Sequence, residues 1–313
     1  MLGKTAGGLY WMFRYLERAE NIARLIEAGF RIALTRSTDA EAEWRSVVTT
    51  SGMDRAYGKQ YDTFSAANVI DFLLRDTANP SSVLSITSNA RDNARLVRTA
   101  LTTEVWEAVN DSWMTLTTLL AEPVRETELP SILNTIRQQS AQVRGALHGT
   151  MLRNDIYDFS RIGTFIERAD NTARIIDVKY YTLLPSTSFV GSSLDNVQWE
   201  TVLRSVSAHR AFRWLDESEM TSSAIADFLI LDKRLPRSLA FCTSQIVSNL
   251  RYVAEDYGNT YECNRKAEKL HSRLMNRDIE SIFEEGLHEF IDAFIGDNNA
   301  LGRQIEEDFR FNG

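Results

Sequence analysis

This 313-residue chain has only five prolines, two cysteines and no long apolar run. With so few prolines and only fifteen glycines, little interrupts the helix-favouring Ala, Leu, Arg and Glu that recur along it. The expectation is an all-α fold. No apolar stretch approaches the roughly 20 residues needed to cross a bilayer. The opening MLGKTAGGLYWMFRYLERAE also lacks the apolar core and cleavage site of a secretory signal. The expected location is therefore the cytoplasm, with no membrane partner. Cys242 and Cys263 show no metal-type spacing and read as free thiols of a reducing compartment. A basic excess is missing as well, because the net charge is −8 and the positive charge is scattered. That excludes a nucleic-acid footprint and points to protein, peptide or small-molecule partners.

Recognisable catalytic machinery is also absent. Gly3, Lys4 and Thr5 resemble the end of a phosphate loop, but no strand or glycine-rich turn precedes them, so they read as helix entry. No GxSxG stands near a suitable His and Asp, no Cys–His pairing suggests a nucleophile, and His148 reads equally as a helix-end residue. No cofactor is implied. Among the basic residues 29 are Arg and six are Lys, a bias that suits two-pronged carboxylate pairing but also follows from a GC-rich genome.

What the chain does have is an internal echo. Residues 16–27 read LERAENIARLIE and residues 166–177 read IERADNTARIID, with seven identities, four conservative changes and one difference in kind, Ile22 against Thr172. The correspondence continues in order: Trp44 answers Trp199, Arg55 answers Arg210, Asp71-Phe72-Leu73 answers Asp227-Phe228-Leu229, and Asn79 through Ser82 answers Leu235 through Ser238. This predicts one pseudo-twofold helical body, a single domain over 1–313, made of two duplicated units at about 1–150 and 151–313. Helical spacing predicts a first long helix from near Thr5 past Arg31 and a counterpart from about Asp155 to Leu184, ended by Pro185. Pro80 and Pro236 are expected in first helical turns, with Asn79 capping a helix that runs through Arg98. Residues 121–130 and 185–196 read as the clearest breaks.

At 100° per residue, Arg14, Glu17, Glu20, Asn21 and Arg24 share one face of the first helix, opposite Ala19, Ile22, Ala23 and Ile26, with Arg18 at the margin. The second copy repeats the stripe with Glu167, Arg168, Asp170, Asn171 and Arg174, but has Thr164 in place of Arg14. A solvated face stitched by pairs such as Glu20 and Arg24, each worth about 0.2–0.5 kcal/mol, is the bland reading. Yet Glu17 and Glu167 have no common partner within their own helices, so their partners are expected on another helix. The expectation is that the two long helices pack together and that Glu17, Arg24, Glu167 and Arg174 form a shared buried network or line a polar cleft. Glu17 or Glu167 acting as a general base is an alternative. A dimetal carboxylate protein is another, because Glu268 with His271 and Glu285 with His288 form two Glu-x-x-His pairs. These pairs are only 17 residues apart and have no counterpart in the first half, so no metal ligand is assigned.

The opening LGKTAGGLYWMFRYLERAENIARLIE, the middle GTMLRNDIYDFSRIGTFIERADNTARIID, the NPSSVL and LPRSLAFC segments and the C-terminal GLHEFIDAF together resemble the bacterial alpha-E family over essentially the whole chain. The resemblance implies an all-helical domain of unknown function. Such domains are typically encoded beside, or fused to, a circularly permuted ATP-grasp protein, often with a transglutaminase-like peptidase. ATP-grasp enzymes make amide bonds, so the resemblance implies a system that joins or tags peptides. It also marks Glu17, Arg18, Glu20, Arg24, Met151, Arg153, Glu167, Arg168, Asp170 and Arg174 as motif positions. The expected function is a helical accessory or substrate-handling component of such a ligation system. Its Glu/Arg face, formed by Glu17, Arg18, Glu20, Asn21, Arg24, Arg153, Glu167, Arg168, Asp170, Asn171 and Arg174, would bind the ATP-grasp partner or a charged peptide substrate. A purely structural lock between the halves is the third reading.

Overall fold

The computed structural model describes residues 1–35, 40–182, 193–215 and 220–311. These form α1 (Gly3–Thr35), α2 (Ala40–Ser51), α3 (Asp54–Tyr57), α4 (Ala66–Leu74), α5 (Val83–Leu96), α6 (Thr103–Leu119), α7 (Leu129–Thr150) and α8 (Asp155–Thr182). They continue as α9 (Ser193–Ser205), α10 (His209–Arg213), α11 (Ser222–Ile230), α12 (Leu239–Tyr257), α13 (Glu262–Met275), α14 (Ile279–Glu285) and α15 (Leu287–Asp308). The fold is all-α, with no strand among the described residues. None of these helices is long and apolar enough to cross a membrane.

Both long helices are where helical periodicity puts them, and α1 extends a few residues beyond each expected end. The break at 121–130 separates α6 from α7, while Pro185 and most of the second break lie outside the described residues. The proline positions need correction. Pro80 and Pro236 stand three residues ahead of α5 and α12, in the preceding turns, and the caps are Ser82 and Ser238. Each serine is extended and accepts the amide three residues on, from Ser85 at 3.3 Å and from Phe241 at 3.0 Å. Asn79 instead braces its turn, donating to the Phe72 carbonyl at 2.9 Å and accepting from the Ser81 amide at 3.0 Å. α5 stops at Leu96, and a 3₁₀ turn over Arg98–Ala100 follows.

α1 packs against α8, α5, α7, α2 and α9, so little of it faces solvent. The apolar interior divides in two. One core gathers Leu9, Phe13 and Leu16 of α1 with Phe159, Ile162 and Ile166 of α8 and the helices after it. The other gathers Ala19, Ile22 and Ile26 of α1 with α2, α4 and the start of α7. Glu17 and Arg18 thus occupy the step of α1 where one core gives way to the next.

The α1–α8 crossing is close enough to require a glycine. A Cβ at Gly163 would lie 2.2 Å from the Tyr10 carbonyl oxygen, which is backbone and cannot swing aside. Gly163→Ala is therefore expected to destabilise the protein by about 1–3 kcal/mol in chemical denaturation. Gly145→Ala, whose Cβ meets nothing within 4 Å on exposed α7, should instead stabilise it by about 0.5–1 kcal/mol. Equal effects at the two sites would contradict the tight crossing.

Candidate functional site

At the α1–α8 crossing the two Glu-Arg steps exchange partners. Arg168 grips Glu17 with both prongs, Nε to Oε1 at 2.9 Å and Nη2 to Oε2 at 2.8 Å. Arg18 grips Glu167 in the same way, Nη2 to Oε2 at 2.8 Å and Nε to Oε1. Glu17 is 1% exposed and Glu167 5% exposed, so neither is a solvated surface charge. The expected network is therefore real but differently wired. Arg24 and Arg174 stay with the acids one turn back on their own helices, Glu20 and Asp170. Helix geometry explains the wiring: Arg24 lies about 10 Å along the axis from Glu17, whereas Arg18 is adjacent to it on the side turned toward α8.

A second layer of arginines completes each carboxylate. Arg237, just ahead of α12, donates to Glu17 at 3.0 Å, to Asn21 at 3.1 Å and to Glu20 at 2.7 Å. Arg144 of α7 reaches Glu17 at 3.4 Å and also bonds Glu20. Glu167 takes its extra cation from Arg14 at 3.0 Å. The Arg14/Thr164 mismatch in the sequence is thus answered by a second one, Arg237 against Ser81. Each glutamate receives an arginine from the opposite Glu-Arg step and at least one more, supplied from unrelated places. The backbone is held too: Ser140 of α7 donates to the Leu16 carbonyl at 3.1 Å, and Asn298 of α15 donates to the Ile166 carbonyl at 3.0 Å.

Burial alone would raise the Glu17 carboxyl, but Arg168 and then Arg237 outweigh it and hold it far below the ordinary range. Burial is likewise outweighed at Glu167 by Arg18 and Arg14, which lower it to about 2. Carboxylates so weakly basic, with their oxygens already engaged, are poor proton acceptors at neutral pH, which removes the ground for the general-base alternative. Arg237 is pushed down to about 10 by burial, an effect that Glu17 only partly offsets against nearby Arg168 and Arg24.

Two openings flank the lock. A cleft of about 920 Å³ is lined by Arg24, Arg31, Arg137, Arg144, Arg204 and Arg210, with Glu20, Glu27, Glu200 and His209. A smaller pocket of about 240 Å³ takes in Asn21, Asp170, Asn171 and Arg174. Arg153 is in neither: exposed at the α7–α8 corner, it donates to the His148 and Met151 carbonyls at 2.7 and 3.2 Å and lies 4.0 Å from the Tyr157 ring centre. His148 sits at the same corner, 2.9 Å from the Tyr157 hydroxyl. Three members of the Glu-x-x-His pairs are otherwise engaged, His271 on Thr243 at 2.9 Å, His288 on Asp177 at 2.6 Å and Glu285 on Arg277. Among the described residues no three His, Cys, Asp or Glu side chains converge as a metal site would require. Both cysteines are buried free thiols, and burial pushes Cys242 up to about 12. Sequence reasoning missed Arg137, Arg144 and Arg237. The only signal for Arg237 was its place in LPRS, opposite Ser81.

The lock should govern acid stability. Both folded-state glutamate pKa values are depressed, so their contribution is fully present above the unfolded value of about 4.3 and is lost as pH falls toward 2. Glu17→Gln strands Arg168 without a counter-charge, leaves Arg237 with Glu20 alone, and is expected to cost about 3–5 kcal/mol near neutral pH. It should also flatten the loss of stability between about pH 4 and pH 2. Denaturation curves across that window that superimpose on the wild type would contradict the assignment.

The alpha-E family, described as a predicted alpha-helical domain with a conserved ER motif, matches residues 1–309. The Glu-Arg step occurs twice in the chain, at Glu17-Arg18 and Glu167-Arg168, the residues that exchange partners. An uncharacterized protein of Mycobacterium bovis and one from each of two Mycobacterium tuberculosis strains are 19% identical to the chain over 325 aligned positions. Those alignments take in 97% of this chain and 36% of each relative, so the chain spans about a third of the length of the curated relatives it matches. No solved structure matches. With a match across nearly its full length and both Glu-Arg steps at the crossing of its two longest helices, the chain belongs to the alpha-E family.

Proposed function

We propose that this protein is a helical accessory or substrate-handling component of an ATP-grasp-dependent peptide or amide ligation system. Its two halves derive from one duplicated unit. Supporting this, α1 and α8 are each followed by helices of similar order and length, with hydroxyl caps at Ser65 and Ser82 in one half and Thr221 and Ser238 in the other. The Glu17–Arg168 and Glu167–Arg18 pairs lock the halves together. Substrate binds beside the lock, in the arginine-lined cleft, where an acidic peptide segment or a terminal carboxylate meets two-pronged guanidinium groups. A circularly permuted ATP-grasp protein activates the bound peptide, and a transglutaminase-like peptidase acts on the product.

The observation that carries this reading is local charge. On a chain with net charge −8, the cleft wall presents six arginines against three glutamates. One of those glutamates, Glu20, is fully buried and already shared by Arg24, Arg144 and Arg237. The surplus positive charge attracts anionic ligands.

Calorimetric titration with hexaglutamate and hexalysine tests the cleft. Hexaglutamate is expected to bind and hexalysine to give no heat. The double variant Arg204→Gln/Arg210→Gln, which leaves the lock untouched, should weaken hexaglutamate about tenfold, the equivalent of roughly 1.4 kcal/mol. Equal heats for the two peptides, or a double variant that binds like the wild type, would count against the cleft. Failure to co-purify with a co-expressed circularly permuted ATP-grasp protein would count against the wider assignment.

A further inference from the structure

The two halves differ most informatively at two aligned positions. Ser207 and Gly52 both hold positive φ, 55° and 73°, at the turn following α9 and α2. On the α9 side Arg24 Nη1 donates to the Ser207 hydroxyl, and Arg237 bonds the same Glu20 that Arg24 holds. On the α2 side the corresponding residues are Gly52 and Ser81, and both line the 240 Å³ pocket. Arg174 holds Asp170 through Nε at 2.7 Å and Nη2 at 3.3 Å, which leaves Nη1 pointing past Gly52, 3.0 Å from where a Cβ would stand. The hydroxyl that Arg24 uses has no equivalent for Arg174.

Two further residues of the same pocket, Asn21 and Asn171, carry unused donors. The side-chain nitrogens of Asn21 and Asn171 are fully buried and donate to no acceptor. Asn21 is 3% exposed, and its orientation is set by Arg237, which donates to its Oδ1 at 3.1 Å. Its amide nitrogen is therefore the group left over. A buried donor without an acceptor costs about 1–3 kcal/mol, and two beside a free guanidinium prong call for an oxygen-bearing group. The acids on the wall cannot supply it, because Glu167 is held by Arg14 and Arg18 and Asp170 by Arg174. Three arginines against two carboxylates leave the wall one positive charge in surplus.

We propose that this pocket binds a small oxyanion, a carboxylate or phosphoryl group, through Asn21 Nδ2, Asn171 Nδ2 and Arg174 Nη1. At about 240 Å³ it holds several times the roughly 30 Å³ that a water occupies in the liquid, enough for such a group. The inference is independent of the arginine-lined cleft, because its three donors lie outside that lining.

Side-chain amide NMR tests the pocket directly, reading the Asn171 signal, assigned by its loss in Asn171→Ala, while inorganic phosphate or acetate is added. A saturable shift is expected with at least one anion and not with chloride, and the tighter of the two names the group. Arg174→Gln should weaken binding about tenfold. Gly52→Ala, whose methyl would occupy the space facing Nη1, provides a second variant should Arg174→Gln fail to fold, and it should weaken binding too. No saturable shift with either anion, or unchanged binding in a folded variant, would overturn the proposal.

Discussion

Two carboxylates buried at one helix crossing are the constraint from which the rest of the structure follows. Each would be costly alone, because a buried charge without a counter-charge is penalised by several kcal/mol. Each is met by a two-pronged guanidinium from the opposite long helix, Glu17 by Arg168 and Glu167 by Arg18. The exchange fixes more than attraction does. Fork-on-fork pairing works only at one sliding position and one rotation, so it sets the register of α1 against α8 in a way that apolar contact does not. Gly163 allows the backbones to approach closely enough for the forks to meet.

The lock also shapes the surfaces around it. Satisfying buried glutamates with arginines leaves cations over, since Glu17 and Glu20 together draw on Arg24, Arg144, Arg168 and Arg237. Burial, and to a smaller degree Arg168 and Arg24 beside it, holds Arg237 below its ordinary range. The outer members of the surplus, Arg24 and Arg144, turn onto the wall of the large cleft. An anion arriving there would complete a charge balance that the fold leaves open. In the proposed reading, stability and anion binding draw on the same arginines, Arg24 and Arg144.

Much of this was legible in the sequence, for identifiable reasons. The long helices follow from apolar spacing and from the near absence of proline, and the echo of LERAENIARLIE singled out the right polar residues. That Glu17 lacks a partner shared with Glu167 inside its own helix pointed to a partner elsewhere, because Arg14 has Thr164 as its counterpart. The identity of that partner was not legible. Arg174 was as good a candidate for Glu17 as Arg168 until the helix crossing brought Arg168 within reach, while Arg174 stays with Asp170 on its own helix. Arg144 and Arg237 come from segments distant in sequence, so no local pattern flags them. The cap is Ser82 and not Asn79: both residue types cap helices well, and only backbone geometry tells them apart.

The central claim is that Glu17 is coupled to Arg168 across the crossing rather than to its own neighbour Arg18. A double-mutant cycle measures this directly, using Glu17→Gln with Arg168→Gln in one cycle and Glu17→Gln with Arg18→Gln in the other, read by chemical denaturation. The account predicts a coupling of about 2–3 kcal/mol for Glu17 with Arg168 and within about 0.5 kcal/mol of zero for Glu17 with Arg18. Equal couplings in the two cycles, or none between Glu17 and Arg168, would contradict it.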